Sequence, residues 1–487
     1  MLRRGAEYLE GLRDGRIVYV GSERVTDVVS HPGFSGAAKT MAAIFDLKFD
    51  AAHRADLVVE QGESAPYSAY FLEPRTREDL EKRLRCHKLI ADTTYGLFGR
   101  SPDHVASLIT GLAMEAKALD GPNGRAFSQN LIQYHREIKS RDTYVVYAVL
   151  PNRKTSDADQ ANKRPGLRVI REDDDGVVLS GVKALATAAL FADEIWIGNL
   201  QPIARDHGTD AITCAIRCNA RGLQLWSRKA FAGNADSEFD SPLTSRFDEG
   251  DAVLIFDQVK VDWKYVFAYS DSVRSSEIYF QTPAHCLANH QSCVRSWSKV
   301  CLLTGLANRI ACANGSQDVP AVREVLGRLV SLEAGLAALV DAQVYRFDCW
   351  PNGGVSPNCR YVYGALNWCQ EFFPILIEAV RDLCGSGIFR FPVDSSAIDA
   401  PEVSATFERF CGGPPGPALE EMHLFRLAWD LVGSEFAGRQ QQYERFYAGP
   451  PFVVRGHSYR VAPWNALDAI VKGLLIRCPL PSCGKLP

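Results

Sequence analysis

A short segment of the sequence, Gly99–His104, places an arginine and a histidine four residues apart on either side of a proline. The guanidinium of Arg100 offers several donors in a fixed geometry and keeps its charge in proteins, so it suits a phenolate or carboxylate partner. If a helix begins at Pro102, His104 lies in its first turn, close to the arginine. The segment is also typical of an ordinary helix start, with a serine N-cap before the proline and an aspartate after it. The residues therefore predict a helix start, an anion-binding arginine, or both.

A second group of residues that could do chemistry lies further along the chain. Cysteine, histidine and tryptophan recur there at helical spacing: Cys286, His290, Cys293, Trp297 and Cys301. The stripe favours a buried seam in which the histidine is a core residue. A zinc site on the first three of these residues would lack a fourth ligand nearby. General-base catalysis by His290 is the remaining alternative, because an imidazole with a pKa of about 6.5 can take up a proton near neutral pH.

The composition limits the class of protein. The chain has 487 residues, of which 46% are hydrophobic, and a net charge of −4. This length favours two or three packed units over one core. Because no long basic tract occurs, nucleic acid is excluded as a main partner. We expect a cytoplasmic protein with no membrane partner, since no apolar run is long enough to span a bilayer and the first residues do not resemble a secretory signal.

The sequence contains 14 cysteines. They are scattered along a long chain and form no CxxC pair, unlike the dense frameworks of small secreted proteins. This distribution predicts reduced thiols in a core and no metal site.

Three regions follow one another along the chain. Helical periodicity dominates residues 1–141, with helices predicted from Arg77, over Pro102–Ala118 and over Phe127–Lys139. Short alternating strands fill residues 142–270 and predict a β-barrel or a sandwich. Long helices return in residues 271–475 and predict a bundle, and the proline-rich tail 476–487 is expected to be extended. The predicted bundle helices are Ala284–Ala313, Pro320–Trp350, Arg360–Leu383 and Ala418–Phe446.

The segment Tyr95–Asp103 resembles the N-terminal signature of the reduced-flavin-dependent 4-hydroxyphenylacetate 3-monooxygenase family, which includes chlorophenol monooxygenases. Further segments match in the order of the family along nearly the whole chain: Gly5–Arg16, Asp27–Pro32, Phe71–Leu80, Gly181–Glu194, Ser245–Trp263, Leu424–Asp430 and Gly438–Phe446. The resemblance implies an α+β, acyl-CoA-dehydrogenase-like fold. Its parts are an N-terminal helical domain, a middle β-barrel and a C-terminal helical bundle that builds a homotetramer.

The resemblance also implies an activity. The chain would be the oxygenase component of a two-component system that receives FADH2 from a separate NAD(P)H:flavin reductase. With O2, the reduced FAD would form a C4a-hydroperoxide that hydroxylates a phenol or a similar electron-rich ring. The sequence contains no GxGxxG after a strand, so the flavin is not expected on a Rossmann fold. Whether the aromatic substrate is free or carrier-bound stays open.

Substrate and catalytic residues follow from the same resemblance. Arg100 would contact the ring oxygen, and His290 would take the proton of the phenol. His104 and Tyr147 would complete the substrate contacts. At these two positions the family has a tyrosine and a histidine respectively, so the resemblance implies the reaction rather than 4-hydroxyphenylacetate itself as the substrate.

Cofactor contacts are implied at both ends of the flavin. Thr187 would donate to N5 or O4 of the flavin, or else cap a turn. A donor-rich loop after a strand would bind the pyrophosphate or adenosine, or else be a solvated loop, and a glycine turn would bind the dinucleotide of a neighbouring subunit. The implied cofactor residues are Tyr147, Arg153, Thr155, Ser156, Thr187, Gly385, Ser386, Gly387 and Phe446.

Two other classes of protein remain as alternatives. A flavin-dependent dehydrogenase or dehydratase acting on a CoA thioester would need a catalytic carboxylate or an iron–sulfur cluster. The related dehydratases carry cluster cysteines where this chain has Gly99 and Asp103, which cannot supply thiolate ligands. A non-enzymatic assembly partner with a flavoprotein fold would not need Arg100, Thr187 and His290 together.

Overall fold

The first part of the chain is mainly helical. The computed structural model describes residues 1–60, 65–120, 127–150, 166–200, 203, 208–235, 237–389, 394–412 and 417–477. The helices of this part are α1 (Gly5–Gly11), α2 (Ser35–Asp46), α3 (Arg54–Leu57), α4 (Arg77–Thr93), α5 (Pro102–Met114) and α6 (Phe127–Arg141). Its short strands are β1 (Val18–Val20), β2 (Glu23–Val25), β3 (Val58–Val59) and β4 (Tyr67–Ser68).

Helix α5 is the central helix of this part. It begins at Pro102, as predicted. It ends at Met114, before the predicted end at Ala118, and a 3₁₀ turn over Ala116–Leu119 follows it. All of its residues except Ala113 are buried. A helix that is buried on every side packs against neighbours all round, so it holds the turn that precedes it in one position.

The middle of the chain forms two open sheets, where the strand pattern predicted a barrel or a sandwich and the resemblance implied a barrel. In the described residues the strand orders are β2-β1-β10-β11-β7-β6 and β12-β9-β8-β5. Each sheet keeps two edge strands, so neither closes on itself, and β1 and β2 come from the helical part. The new strands are β5 (Val145–Ala148), β6 (Arg168–Asp173), β7 (Gly176–Thr187), β8 (Glu194–Ile197), β9 (Ile212–Arg217), β10 (Leu223–Ser227), β11 (Asp251–Asp262) and β12 (Val266–Tyr269). Helix α7 (Thr244–Phe247) precedes β11.

Strands β7 and β11 form the long antiparallel pair at the middle of the larger sheet. Their register pairs Thr187, the last residue of β7, with Asp251, the first residue of β11. The ladder thus brings together two polar side chains that are distant in sequence.

The C-terminal part consists of helices joined by one hairpin. Its elements are α8 (Arg274–Glu277), α9 (Ala284–Ala313), α10 (Pro320–Tyr345), β13 (Asp348–Cys349), β14 (Val355–Ser356), α11 (Cys359–Cys384), α12 (Ser396–Asp399), α13 (Pro401–Cys411), α14 (Ala418–Val432), α15 (Glu435–Phe446), α16 (Pro451–Val461) and α17 (Trp464–Arg477). Helix α9 has the predicted bounds. Within the described ranges, no helix combines the length and apolar character needed to cross a bilayer.

Several predicted helix bounds differ from the structure, and α10 ends at Tyr345 rather than at Trp350. The single helix predicted over 418–446 is broken at Gly433, where Ser434 caps α15 by accepting a hydrogen bond from the N–H of Ala437 at 3.0 Å. Helix α17 continues to Arg477, inside the tail expected to be extended, because no proline occurs before Pro479. Residues 478–487 lie outside the described part.

The prediction that all cysteines are reduced is wrong for two of them. Cys286 and Cys359 form a disulfide that joins the N-terminal ends of α9 and α11. Their sequence separation of 73 residues gave no local signal for the pairing. The described cysteines that remain free are Cys86, Cys214, Cys218, Cys293, Cys301, Cys312, Cys349, Cys369, Cys384 and Cys411.

Candidate active site

Arg100 lies in a buried cage of tyrosines at the start of α5. Its Nη2 donates to the hydroxyl of Tyr147 at 2.7 Å, and its guanidinium lies 4.6 Å from the ring centre of Tyr147 and 4.1 Å from that of Tyr447. Burial acts to lower the pKa of Arg100, but the neighbouring tyrosines and Glu249 raise it overall. The arginine is therefore charged, and the aromatic faces around it favour that charge. The predicted helix start occurs in this turn, and the predicted role of Arg100 as an anion-binding residue stays a prediction.

His104 faces the same arginine and is held in one tautomer. Its Nε2 lies 3.4 Å from Nη1 of Arg100. Because a guanidinium cannot accept a hydrogen bond, Nε2 is the acceptor and the proton of the neutral ring is on Nδ1. Burial, then the charges of Arg100 and Arg295, lower the pKa of His104 well below its usual value, so the ring is neutral. In the described part, Nδ1 is buried with no hydrogen-bond partner, which leaves an N–H donor for a further group.

Two tyrosines from the end of α15 close the cage, and sequence reasoning did not single them out. The Tyr447 hydroxyl donates to the carbonyl of Gly99 at 3.4 Å and accepts from Ser292 at 2.7 Å. Tyr443 packs against Gly99 so closely that a Cβ at that glycine would lie 2.1 Å from its hydroxyl oxygen. This oxygen is buried and has no partner among the described residues. The i, i+4 spacing of Tyr443 and Tyr447 is the sequence signal that could have identified them.

A buried charge network connects the Arg100 turn to the end of β7. The carboxylate of Glu249 accepts from the backbone N–H of Gly99 at 2.9 Å and of Arg100 at 3.1 Å. Arg439 donates to Glu249 at 2.8 Å and to Asp251 at 2.7 and 2.9 Å. One guanidinium thus bridges two carboxylates on either side of Gly250, whose φ of +66° bends the chain between them.

Thr187 lies at the other end of this network. Its side chain is buried, and its hydroxyl donates to Oδ1 of Asp251 at 2.7 Å. Because a carboxylate only accepts, the hydroxyl proton is directed at Asp251 in this structure, and the role of Thr187 toward a flavin stays a prediction. The oxygen of Thr187 remains able to accept from a further group.

His290 lies behind α5, between α4 and α10. Its Nδ1 donates to Oε1 of Gln343 at 2.7 Å, and its ring packs at 6.1 Å against that of His87. Burial, then the neighbouring His87, lower the pKa of His290 to about 3. Among the described residues it has no hydrogen bond or ring contact with Arg100, His104 or Tyr147. Its Nε2 is buried and has no hydrogen-bond partner within the part of the chain that the structure describes.

The remaining expected cofactor residues fall either outside the described residues or at the ends of two helices. Arg153, Thr155 and Ser156 lie outside the described residues. The turn Gly385–Gly387 follows α11, and a Cβ at Gly387 would lie 2.6 Å from the ring of Phe425. Phe446 ends α15 with an exposed side chain.

The two positions that would hold cluster cysteines in a dehydratase serve other purposes. Gly99 makes room for Tyr443, and Asp103 accepts from His87 at 2.8 Å and from Ser101 at 2.5 Å. The described residues contain no group of three or more histidine, cysteine or acidic side chains arranged to hold a metal ion. The geometry offers a cationic, aromatic-lined site next to a buried hydrogen-bond acceptor.

Comparison with protein families decides which class this site belongs to. The model of the 4-hydroxyphenylacetate 3-hydroxylase N-terminal domain matches residues 4–268, and that of the C-terminal domain matches residues 275–475. The chain belongs to the 4-hydroxyphenylacetate 3-hydroxylase family. The resemblance found in the sequence is thereby confirmed.

Individual relatives agree along the whole length of the chain. The 4-hydroxyphenylacetate 3-monooxygenase oxygenase component of Thermus thermophilus is 32% identical over 467 residues, covering 95% of this chain and 95% of that protein. The (3S)-3-amino-3-(3-chloro-4-hydroxyphenyl)propanoyl-[peptidyl-carrier protein SgcC2] monooxygenase of Streptomyces globisporus is 31% identical over 452 residues, covering 91% and 84%.

A solved structure confirms the α+β fold class. The crystal structure of the 4-hydroxyphenylacetate 3-monooxygenase oxygenase component complexed with FAD and 4-hydroxyphenylacetate matches with a TM-score of 0.91 at 28% identity. It covers 98% of this chain and 99% of that one.

Proposed function

We propose that this protein is the oxygenase component of a two-component, FADH2-dependent monooxygenase that hydroxylates a phenolic or similar electron-rich aromatic ring. The observation that carries the proposal is the buried, charged Arg100 within its tyrosine cage, in a chain of this family. Membership of the family supports FAD as the cofactor and O2 as the co-substrate, because a related structure contains FAD together with its phenolic substrate.

At the substrate end, Arg100 binds the ring oxygen and favours its deprotonated form. A charge-assisted hydrogen bond from the guanidinium is stronger to a phenolate than to a phenol. The N–H at Nδ1 of His104 is a second donor toward an acceptor on the substrate. Tyr147, which accepts from Arg100 at 2.7 Å, shares this arginine with the substrate oxygen.

At the cofactor end, the residues present fit a reduced flavin. The buried Thr187 oxygen can accept from an N–H group, and Asp251 and Arg439 hold it in place. When bound, reduced FAD supplies the activation of O2. The cage of Tyr443 and Tyr447 excludes water from the arginine, which protects the reaction from side hydrolysis. Arg153, Thr155, Ser156, Gly385, Ser386, Gly387, Tyr147 and Phe446 stay proposed as the further contacts of the dinucleotide.

The role of His290 stays a prediction. As a base it would take the phenol proton, whereas its hydrogen bond to Gln343 and its pKa of about 3 favour a core histidine. An imidazole with so low a pKa is a weak base at neutral pH.

The proposed partners are a separate reductase, a small aromatic substrate and further copies of this chain. The relatives named oxygenase components support an NAD(P)H:flavin reductase, whose reductant favours a cytoplasmic setting. The carrier protein in the name of the Streptomyces relative supports a carrier-bound phenol as the second form of substrate. A homotetramer built through the C-terminal helices is supported by α17, where Ile470, Leu474 and Ile476 are 72%, 64% and 80% exposed.

One experiment tests the proposed function. Purified protein, FADH2 from a chemical or enzymatic source and O2 are mixed with a panel of phenols, free or as carrier thioesters. We expect a hydroxylated product with at least one phenol and no product with oxidised FAD. Consumption of FADH2 that yields only hydrogen peroxide across the whole panel would contradict the proposal.

A further inference from the structure

The carboxylate of Asp251 is fully engaged by three side chains. Its Oδ1 accepts from Thr187 Oγ1 at 2.7 Å and from Arg439 Nη2 at 2.7 Å. Its Oδ2 accepts from Arg439 Nε at 2.9 Å and from Arg228 Nε at 2.9 Å. Two guanidiniums thus face one carboxylate, and a hydroxyl completes its hydrogen bonds.

This arrangement fixes the direction of the hydrogen bond from Thr187. Burial acts to raise the pKa of Asp251, but Arg439 and Arg228 lower it well below its usual range. An ionised carboxylate can only accept. The threonine proton therefore points at Asp251, and only lone pairs of the Thr187 oxygen are left for another group.

The two redox states of a flavin differ at the atom that such an oxygen would meet. N5 of a reduced flavin carries a hydrogen and donates, whereas N5 of an oxidised flavin has a bare lone pair and accepts. An oxygen whose proton is already donated elsewhere can accept a hydrogen bond from the N5–H of reduced flavin, but it repels the N5 lone pair of oxidised flavin. A hydroxyl that is free to rotate could pair with both forms.

We propose that Asp251 is a positioning residue that holds the Thr187 hydroxyl as an acceptor and so makes the site select reduced over oxidised flavin. The inference rests on the proposed function, in which Thr187 faces the N5 edge of the flavin. It explains how a protein that exchanges flavin with a reductase can take the reduced form and release the oxidised one.

The test compares the dissociation constants of reduced and oxidised FAD under anaerobic conditions. Asp251→Asn places an amide beside Thr187, which can donate to the hydroxyl and free its proton for a bare N5. We expect the dissociation constant of oxidised FAD divided by that of reduced FAD to fall about tenfold, which is the effect of one hydrogen bond. The same change is a shift of about 30 mV in the potential of the bound flavin.

Matched variants separate this role from simple support of the fold. Asp248→Asn is the control, because Asp248 is buried and accepts from the same Arg228, at 2.5 Å, but does not contact Thr187. Thr187→Val should remove the preference, and Thr187→Ser should keep it. The Thr187 pair leaves the charge network intact, so it decides the question even if Asp251→Asn does not fold.

Three results would overturn the inference. The first is an unchanged ratio of the dissociation constants of oxidised and reduced FAD in Asp251→Asn or Thr187→Val, with both redox forms bound equally more weakly. The second is a change of this ratio in Asp248→Asn as large as that in Asp251→Asn. The third is loss of the preference for reduced FAD in Thr187→Ser. Failure of the proposed function gives a different pattern, since the wild-type protein would then bind neither form of FAD or hydroxylate no phenol.

Discussion

The guanidinium of Arg100 donates a hydrogen bond of 2.7 Å to the hydroxyl of Tyr147 and also lies 4.6 Å from the centre of the same ring. Tyr147 therefore already places a phenol against this arginine. A substrate phenol bound beside Arg100 would meet a guanidinium that already donates a hydrogen bond to a phenol hydroxyl.

Replacement of Arg100 should weaken phenol binding and spare flavin binding. In Arg100→Ala, loss of a charge-assisted hydrogen bond costs about 1.5–3 kcal/mol, or roughly ten- to hundredfold in affinity. Titration of a phenol inhibitor and of reduced FAD measures both affinities. Arg100→Lys, which keeps the charge, should retain part of the affinity. Equal loss of both ligands in Arg100→Ala would show that the arginine supports the fold of the turn instead.

Exchange of His104 and Tyr147 should change which phenols are accepted. Both side chains contact Arg100, with Nε2 of His104 at 3.4 Å and the hydroxyl of Tyr147 at 2.7 Å. The double variant His104→Tyr, Tyr147→His gives the two positions the residues that the resemblance implies for the hydroxyphenylacetate enzymes. We expect it to turn over 4-hydroxyphenylacetate better than either single variant does. No gain in the double variant would place the selectivity elsewhere.

His290→Ala tests the two roles of this histidine. From its contacts we expect a loss of about 1–3 kcal/mol of stability, because the buried Oε1 of Gln343 loses the hydrogen bond from His290. Coupling should be normal in the folded protein. Thermal unfolding and hydroxylated product per FADH2 consumed are measured together. A folded variant that yields hydrogen peroxide instead of product, and recovers at a pH above the pKa of the phenol, would establish catalysis.

Stability should fall as the pH drops below about 6.5, the ordinary pKa of histidine. Burial lowers the pKa of His135, His285 and His290 to about 3, so the unfolded chain binds more protons than the folded one between these values. Each histidine then lowers the free energy of unfolding by about 1.4 kcal/mol for each pH unit by which the pH falls within this window. Urea unfolding at a series of pH values measures the slope. His285→Phe should reduce it, and a flat profile from pH 7 to 4 would contradict the prediction.

The disulfide gives a fifth prediction. Because Cys286 and Cys359 are 73 residues apart, opening the bond restores freedom to a long loop of the unfolded chain and costs about 2–4 kcal/mol. Reductant or Cys359→Ala should lower the melting temperature by similar amounts. Cys349→Ala, at an exposed free cysteine, is the control and should have no effect.

Periodicity and local signals predicted most of the fold. Helix α9 has the predicted bounds, because its apolar pattern is unbroken and Pro283 precedes it. The break at Gly433 was missed, since a glycine within a helical pattern does not by itself end a helix. The strand pattern left a barrel and a sandwich open, because alternating strands do not reveal whether a sheet closes.

The pattern of residues alone singled out Arg100 and His104, which share one turn. Tyr147, in contact with the same arginine, was expected only from the family resemblance. Glu249, Asp251 and Arg439 were not singled out, because their pairing depends on contacts between a strand end and a helix that are distant in sequence. Glu249 and Arg439, for example, are 190 residues apart. Charged side chains of this kind look like solvated surface in a sequence.

The ladder between β7 and β11 contains an irregularity next to Thr187. Lys183 to Ala186 spans three steps of β7, whereas the partners Leu254 to Ala252 span two steps of β11. The extra residue of this bulge determines on which face the end of β7 presents its side chains. Deletion of that one residue would turn Thr187 away from Asp251 without altering either side chain. The proposed discrimination between redox states would thus be lost through strand register alone.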